Sequence, residues 1–296
     1  MTIKNRSKIC LMVSAAIMAL AIVLSVCGMG INLGIDFSGG LAMQYNMGGA
    51  FEENHVAAAL KDMGIGEFTV TTQGANRDEV TVRIKSVGED DIQAVQAQFE
   101  ETLTAQYPEM TLAGDVNYVG PVAGETLLKN AFWSVVIASA LMLVYIAFRF
   151  DFNSGVAAVA GLIHDVLMML AFMVLLRSVI QMNSSFIAAM LTIVGYSINN
   201  TIVIFDRIRE NARKMPAEDR VEVVNRSVKE SLGRTINTTL TTLITIVALY
   251  VLGVDAIKEF ALPIIIGILS GAYSANMING YIWAALENKK RKAKKA

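Results

Sequence analysis

The chain has 296 residues, 54% of them hydrophobic, and its mean hydropathy is +0.50. A soluble domain of this length would be less apolar, so the composition excludes an ordinary soluble protein and favours a membrane protein. The formal net charge of −1 gives no indication of nucleic-acid binding.

Six apolar segments approach the roughly 20 residues that a helix needs to cross a bilayer. They are Ile9–Cys27, Ala131–Phe148, Gly155–Leu176, Phe186–Phe205, Ile236–Leu252 and Ala261–Leu286. The first segment follows three basic residues, as a signal peptide does. It is too long for a signal core, however, and no convincing cleavage site follows it. We therefore predict a retained anchor and a multi-pass protein with six transmembrane helices.

Charge asymmetry predicts the topology. Residues 30–128 contain 15 acidic and 4 basic residues, a net charge of −11, whereas the rest of the chain has a net charge of +10. Most basic residues outside that segment lie on one side of the six spans, so the positive-inside rule places both termini in the cytoplasm. The predicted parts are a cytoplasmic N-terminus with helix 1 (1–29), an extracytoplasmic domain (30–128), helices 2–6 (129–286) and a basic cytoplasmic tail (287–296).

The extracytoplasmic segment shows the periodicities of a small α+β domain. The predicted elements are a strand at Leu41–Met47, a helix at Glu52–Met63, strands at Phe68–Thr72 and Val80–Ile84 joined by a turn at 74–76, a helix at Asp90–Tyr107 and a strand at Leu112–Val119. This βαββαβ order is the ferredoxin-like arrangement. Because that fold serves many functions, it decides little by itself.

Polar and ionisable side chains recur inside the third and fourth spans. His164 and Asp165 lie near the middle of the third span, and Asn199, Asn200 and Thr201 lie in the fourth. A charge at mid-bilayer costs roughly 2.5–3.5 kcal/mol on insertion scales, so we expect these groups to face a partner helix or a hydrated path. Asp165 has two open interpretations, an ion-carrying carboxylate or a neutral acid bonded to a neighbouring helix. Since consecutive helical residues point about 100° apart, His164 need not share its site and is as consistent with packing as with a relay.

The fifth and sixth spans carry further patterns. Arg234, Thr238, Thr241 and Thr245 follow helical spacing and predict one polar stripe, next to Asn237. In the sixth span, small residues at 267, 270, 271 and 274 permit close helix approach. Trp133 and Trp283 fall near span ends, where amphipathic rings prefer to lie. The charged residues at 215–231 are expected to form a solvated helix on the membrane surface.

Several segments together resemble the SecF branch of the SecD/SecF family of protein-export membrane proteins. They are Gly34-Ile-Asp-Phe-Ser-Gly-Gly40, Val119-Gly-Pro-Val-Ala-Gly124, His164-Asp165, the long stretch from Val194 to Asn211, and Ser231-Leu-Gly-Arg-Thr-Ile-Asn-Thr-Thr238. With the six-span topology they cover nearly the whole chain, and the fourth-span motif is the most specific of them.

The resemblance implies a subunit of the bacterial inner or plasma membrane that pairs with SecD and docks on the SecYEG channel. There it would use an ion gradient to help export unfolded polypeptides. In the related resistance-nodulation-division exporters, polar residues of the middle helices carry the ion. The resemblance thus implies an ion-coupling seam of Asp165, Asn199, Asn200, Thr201, Arg234 and Thr238, with His164 and Asn237 as further candidates. Arg234 would hold a counter-charge for a carboxylate; otherwise it snorkels to the headgroups.

One residue departs from the family pattern. The family usually has a carboxylate where this chain has Asn200, and an amide cannot take up and release a proton at physiological pH. Three explanations remain: Asp165 titrates instead, SecD supplies the carboxylate, or the coupling ion is sodium, which amide and hydroxyl oxygens suit. The two adjacent amides are also consistent with helix–helix hydrogen bonds alone.

Two other functions are consistent with the sequence. One is half of a resistance-nodulation-division exporter for small molecules or lipids, although those chains usually contain two six-span halves. The other is a passive scaffold that stabilises its partner. An enzyme is not expected, since no nucleotide-binding Gly-x4-Gly-Lys-Ser/Thr motif occurs. No cofactor is implied beyond a proton or a sodium ion.

Overall fold

The computed structural model describes residues 3–74 and 77–293 of the chain. Part of the predicted turn at 74–76 and the last three residues of the basic tail lie outside the described residues. The chain divides into two compact units. A membrane unit comprises Met1–Asn32, Trp133–Gln181 and Ser185–Ala296, and an outer unit comprises Leu33–Phe132 with Met182–Ser184.

The helices are named in chain order. They are α1 (Ile3–Val26), α2 (Ile35–Ser38), α3 (Glu53–Asp62), α4 (Ile92–Thr104), α5 (Pro121–Arg149), α6 (Phe152–Leu175), α7 (Ser184–Lys214), α8 (Arg220–Leu252), α9 (Asp255–Ser274) and α10 (Gly280–Ala293). A single π-helical turn, Ala275–Asn279, joins α9 to α10. The strands are β1 (Gly40–Asn46), β2 (Phe68–Gln73), β3 (Glu79–Lys85), β4 (Thr111–Leu112) and β5 (Asn117–Val119).

Among the described residues, six helices are long and apolar enough to cross a membrane, which confirms the predicted number of spans. The sixth runs from α9 through the π turn into α10. More than half of the most apolar stretch is buried in α6, in α7 and in this sixth span, whereas about a tenth or less is buried in α1, α5 and α8. The α6 and α7 helices and the sixth span therefore form the packed centre of the unit.

The segment between the fourth and fifth spans differs from the prediction. Residues 220–231 are the first turns of α8 and not a separate surface helix. Val223, Val224 and Val228 bury themselves in one apolar cluster with Ile208 of α7. The helix continues beyond its apolar part because these turns have their own packing partners.

The two tryptophans have different environments. Trp283 lies in the same apolar cluster and is 5% exposed, so its ring packs within the chain. Its position on α10 turns the ring toward the packed centre of the unit. Trp133 is exposed, as an interfacial ring would be.

The outer unit contains the predicted βαββαβ order around an antiparallel sheet with strand order β2-β3-β1-β4. β1 pairs with β3 along its whole length, from Gly40 opposite Lys85 to Asn46 opposite Glu79. The predicted last strand is interrupted. Its two parts, β4 and β5, both pair with β1, and residues 113–116 separate them. The sequence Gly114-Asp115 provides turn chemistry that breaks the strand.

Alternate residues of the sheet form the core of the outer unit. Leu41, Met43 and Tyr45 of β1 are almost completely buried and pack with Phe99 of α4. The Tyr45 hydroxyl donates to a Glu100 carboxylate oxygen at 2.8 Å. Burial and this neighbouring carboxylate raise the pKa of Tyr45 well above its usual range. The phenol therefore remains a neutral hydrogen-bond donor inside the domain.

Two of the family-like glycine motifs lie against each other in the outer unit. Gly40 adopts a φ of +142°, and a Cβ there would lie 2.2 Å from the Ile84 carbonyl oxygen. A Cβ at Gly124 would lie 2.9 Å from the Phe37 carbonyl oxygen. The first glycine supplies a backbone conformation that side chains disfavour, and the second lets α5 approach α2 closely.

Candidate functional site

Asp165 lies at the centre of a hydrogen-bonded cluster inside the membrane unit. It is 1% exposed on α6 and faces α7 and α9. Its Oδ1 accepts from the Ser270 hydroxyl at 3.0 Å, and its Oδ2 accepts from the hydroxyls of Ser274, at 2.8 Å, and Ser197. Three neutral donors from two facing helices therefore surround the buried carboxylate. Their hydrogen bonds replace part of the hydration that the carboxylate loses in the apolar interior.

Small residues of α9 create room for this cluster. A Cβ at Gly271 would lie 3.2 Å from the Ser197 Cβ and 3.6 Å from the Asp165 Oδ2. One turn earlier, a Cβ at Gly267 would lie 2.4 Å from an Ile193 side-chain carbon. The close helix approach that the small residues predict is confirmed, and it brings α7 and α9 within hydrogen-bonding distance of the carboxylate.

His164 shares this site, contrary to the separate orientation that helical geometry suggests. Its Nδ1 lies 2.9 Å from the Asp165 Oδ1, and its Nε2 lies 2.8 Å from the Ser14 hydroxyl of α1. The Cα–Cβ bonds of neighbouring residues diverge, but rotation about the side-chain bonds turns the imidazole back toward the carboxylate. The Ser14 oxygen lies 3.0 Å from the Tyr273 hydroxyl, which donates to the Cys10 carbonyl oxygen.

A second polar group lies at the π turn. The Asn279 amide donates to the Thr201 hydroxyl at 2.9 Å, and the Thr235 hydroxyl lies 3.4 Å from the Asn276 Oδ1. Asn200 is 2% exposed, and its Nδ2 has no hydrogen-bond partner among the described residues. The Asn279 Oδ1 is likewise without a partner there. A π turn places its side chains out of helical register, and such turns are frequent at functional sites.

The remaining predicted residues point away from the interior. Asn199 on α7 and Arg234, Asn237 and Thr238 on α8 are exposed on the isolated chain. The Thr238 hydroxyl donates to the Arg234 carbonyl oxygen of its own helix at 2.9 Å. The predicted polar stripe of α8 is therefore present, and on the isolated chain it lies on the exposed side of the helix.

The buried polar residues of α8 lie one position along from that stripe. Near that stripe they are Ser231, Thr235 and Thr239, and Arg220 and Ser227 are buried nearer the start of the helix. Because threonines occur on both the exposed and the buried face of α8, their spacing alone does not show which face is buried. Of the predicted seam, the structure brings Asp165, Asn200 and Thr201 into the interior and adds His164.

The sequence interpretation missed Ser14, Ser270, Ser274 and Tyr273 as parts of the site. A signal for the first was present. Ser7, Ser14 and Ala21 recur every seven residues in α1 and are its buried small positions. Such a repeat marks the face of a helix that packs on a neighbour. The α9 serines appeared in the sequence only as packing residues.

Charged residues where α7 and α8 leave the apolar region pair with each other. The Arg149 guanidinium lies 3.0 Å from the Asp206 carboxylate, and the Arg207 guanidinium lies 2.7 Å from the Glu230 carboxylate. Glu230 also accepts from the buried Asn211 amide at 2.8 Å. These contacts join the helices outside the apolar zone and lie apart from the Asp165 cluster.

Comparisons with known proteins agree with these features. Residues 98–289 match a family model described as protein export membrane protein SecD/SecF, C-terminal. The chain is 35% identical over 259 residues to protein translocase subunit SecF of Rickettsia bellii (strain OSU 85-389), a match that covers 88% of this chain and 84% of that protein. It is 36% identical over 272 residues to protein translocase subunit SecF of Endomicrobium trichonymphae, covering 89% and 84% of the two chains.

Solved structures show the same similarity. The crystal structure of SecDF from Thermus thermophilus, a translocon-associated membrane protein, superposes with a TM-score of 0.81 at 34% identity. That match covers 97% of this chain and 39% of the SecDF chain. SecDF in its super-membrane-facing form gives a TM-score of 0.69 at 32% identity. The chain thus spans about two-fifths of the SecDF chains that it matches.

Proposed function

Because the chain belongs to the SecD/SecF family of protein export membrane proteins, we propose that it acts with a SecD partner on the SecYEG channel. There it uses the ion-motive force to promote the export of unfolded polypeptides. It is a multi-pass membrane protein and a SecF-type subunit of the protein translocase. Its role is in transport rather than in catalysis.

The buried Asp165 carboxylate carries the proposal for ion coupling. An ionisable group is costly at this depth, yet three helices supply hydroxyl and imidazole partners for it. One elementary charge that crosses 100 mV releases about 2.3 kcal/mol. By the relation between free energy and equilibrium, that energy shifts a two-state equilibrium by about 50-fold. The outer unit follows α1 in the chain, so movement of that helix would reach the polypeptide on the outer side.

The exposed face of α8 supports a SecD contact. An arginine in a membrane helix faces a pairing group or snorkels to the interface, and no described residue pairs with the Arg234 guanidinium. We propose that SecD covers this face of Arg234, Asn237 and Thr238 and supplies a carboxylate for the guanidinium. Asn199 of α7 is exposed as well, and it would face the partner if the covered surface extends to that helix.

Adjacent threonines offer a matched test of this contact. In a background where Cys10 and Cys27 are alanines, Thr238→Cys is expected to cross-link to SecD in membranes. Thr239→Cys, one residue along, is expected to remain free because Thr239 is 8% exposed on the buried face. Equal cross-linking at both positions, or none at Thr238→Cys in an intact complex, would place SecD on another face.

Topology is a separate part of the proposal. We place both termini in the cytoplasm because of the excess of basic residues on that side. Cys27 lies exposed just beyond the outer end of α1. A membrane-impermeant thiol reagent should therefore label it in intact spheroplasts of a Cys10→Ala strain. Labelling that requires permeabilised membranes would reverse the orientation.

The function itself is tested by export under controlled gradients. In cells whose single copy is this chain, export of a slow-folding secreted reporter is expected to slow when the coupling gradient is collapsed. Proton and sodium gradients are dissipated separately, with an Asn200→Asp strain alongside. A shift from sodium toward proton dependence in that strain would put position 200 on the ion path. Export that responds to neither gradient would refute ion coupling.

A further inference from the structure

The hydrogen-bond chain from α1 to Asp165 determines where its protons lie. A backbone carbonyl only accepts, so the single Tyr273 hydroxyl hydrogen points to the Cys10 carbonyl oxygen. The contact of 3.0 Å between the Ser14 and Tyr273 oxygens must then use the Ser14 hydrogen. With its hydrogen committed, Ser14 accepts from His164, and the contact of 2.8 Å requires a hydrogen on the His164 Nε2.

That assignment fixes the contact between His164 and Asp165. With Nε2 protonated, a neutral imidazole has a bare Nδ1, which needs a hydrogen on the Asp165 carboxyl to explain their separation of 2.9 Å. A charged imidazole instead donates from Nδ1 to a carboxylate. In both forms one further hydrogen lies between Oδ1 and Nδ1. In both forms the pair is neutral overall, which lowers the cost of burying it in a membrane bundle.

We propose that Asp165 and His164 form a binding site for one exchangeable proton and that Ser14 and Tyr273 transmit its occupancy to α1. The inference rests on the proposed function for its role in the cell. The hydrogen-bond argument stands on geometry alone.

Loss of the proton reverses the chain of donors. When one proton leaves the pair to bulk water, one hydrogen remains, and it favours Nδ1 because a bare Nδ1 would repel the carboxylate at this distance. Nε2 then becomes an acceptor, and Ser14 turns its hydroxyl hydrogen toward it. Tyr273 keeps its contact with Ser14 by donating to that oxygen, which removes its bond to the Cys10 carbonyl. Proton release therefore frees a point on α1 that proton binding holds against α9.

Few other charges act on the pair. The neighbouring titratable groups are Tyr273 of α9, which contacts the pair through Ser14, and Cys10 of α1, which lies beside that tyrosine. α7 contributes the neutral Ser197, and Arg234 of α8 is exposed on the isolated chain. Apart from the contact within the pair, no Lys, Arg, Asp or Glu side chain bonds to either member in the described parts of the chain. The proton is thus the charge that balances Asp165.

The chain offers an unusually direct measurement, because His55 and His164 are its two histidines. A His55→Gln variant labelled with ¹⁵N-histidine, purified as the full chain with SecD, reports the two imidazole nitrogens of His164 alone. We expect Nε2 to show the shift of a protonated nitrogen at low pH. As pH rises, Nε2 should change to a bare nitrogen while Nδ1 carries hydrogen. Varying sodium at fixed pH should leave both shifts unchanged.

Variants distinguish proton binding at Asp165 and His164 from its transmission to α1. Asp165→Asn should abolish the tautomer change, since an amide has no proton to exchange. Ser14→Ala should keep the titration but alter the Nε2 shift, whereas Ser25→Ala, whose hydroxyl bonds the Ala21 carbonyl of its own helix, should alter neither. The proposal would be overturned by a bare Nε2 at low pH, by a tautomer that does not change with pH, or by a transition driven by sodium. These results come from the protein with an intact Asp165 and Ser14, so they can be read even if a variant misfolds.

The outcome is also separable from the proposed function. A His164 transition in a protein whose export ignores both gradients would refute ion coupling and leave the proton site standing. If export depends on a gradient but the His164 shifts do not change with pH, the proton site is refuted and ion coupling stands.

Discussion

Replacing Asp165 with asparagine is expected to remove the gradient-dependent part of export. The amide has nearly the same shape but carries neither a charge nor an exchangeable proton. One of its two terminal groups also becomes a donor, facing hydroxyls that donate to the carboxylate. The bias that one charge obtains from 100 mV, about 50-fold in a two-state equilibrium, is then unavailable. Export of a slow-folding reporter should fall to the rate that the unsubstituted strain shows without a gradient.

The control for this substitution is Asp206→Asn. Asp206 makes an exposed pair with Arg149 at 3.0 Å, and such pairs contribute roughly 0–1 kcal/mol. Export should therefore remain near the unsubstituted rate. The abundance of the complex is measured in both strains, because a passive scaffold would lose export only in proportion to lost complex. Asp165→Asn export that still follows the gradient at normal abundance would contradict ion coupling through this residue.

The parts of the fold that sequence predicted depend on local patterns. Span number follows from apolar length, and the order of elements in the outer unit follows from period and turn residues. The prediction of one long last strand was wrong. Two short strands that pair with the same edge of β1 have the same sequence propensity as one longer strand. Packing partners distant in sequence also explain the extension of α8 below its apolar part and the burial of Trp283.

The site was predicted in part for the same reason. A carboxylate in mid-span is visible in any sequence, and Asp165 lies where that signal indicates. Periodicity shows that Arg234 and Thr238 share one face, but a helix with threonines on both faces does not reveal which one is buried. His164 depends on a side-chain rotation, and Ser14 on a helix 150 residues away in sequence. Neither relation exists before the chain folds.

Gly161→Ala is expected to produce the largest loss of stability in the membrane unit among single-methyl additions near the site. A Cβ at Gly161 would lie 2.2 Å from the Asn279 Oδ1 and 2.5 Å from its Cγ. The amide would have to move, and its hydrogen bond of 2.9 Å to Thr201 would be lost. Overpacking of this kind costs about 1–3 kcal/mol, and the lost bond costs about 1 kcal/mol more. Unfolding of the purified chain in mixed micelles measures the change.

Gly155→Ala on the same helix is the matched control. Its Cβ would meet Ile146 at 3.9 Å, an ordinary contact, and alanine favours a helix over glycine by up to about 1 kcal/mol. Asn279→Ala removes the obstructing amide, so the double variant with Gly161→Ala should be more stable than the sum of the single effects predicts. Equal stability of the two alanine variants, or strict additivity in the double variant, would mean that α6 does not need this glycine to pack against the π turn. Because the π turn carries Asn279 beside Thr201 and follows the serines that hold Asp165, rescue would show that backbone packing and the polar cluster form one unit.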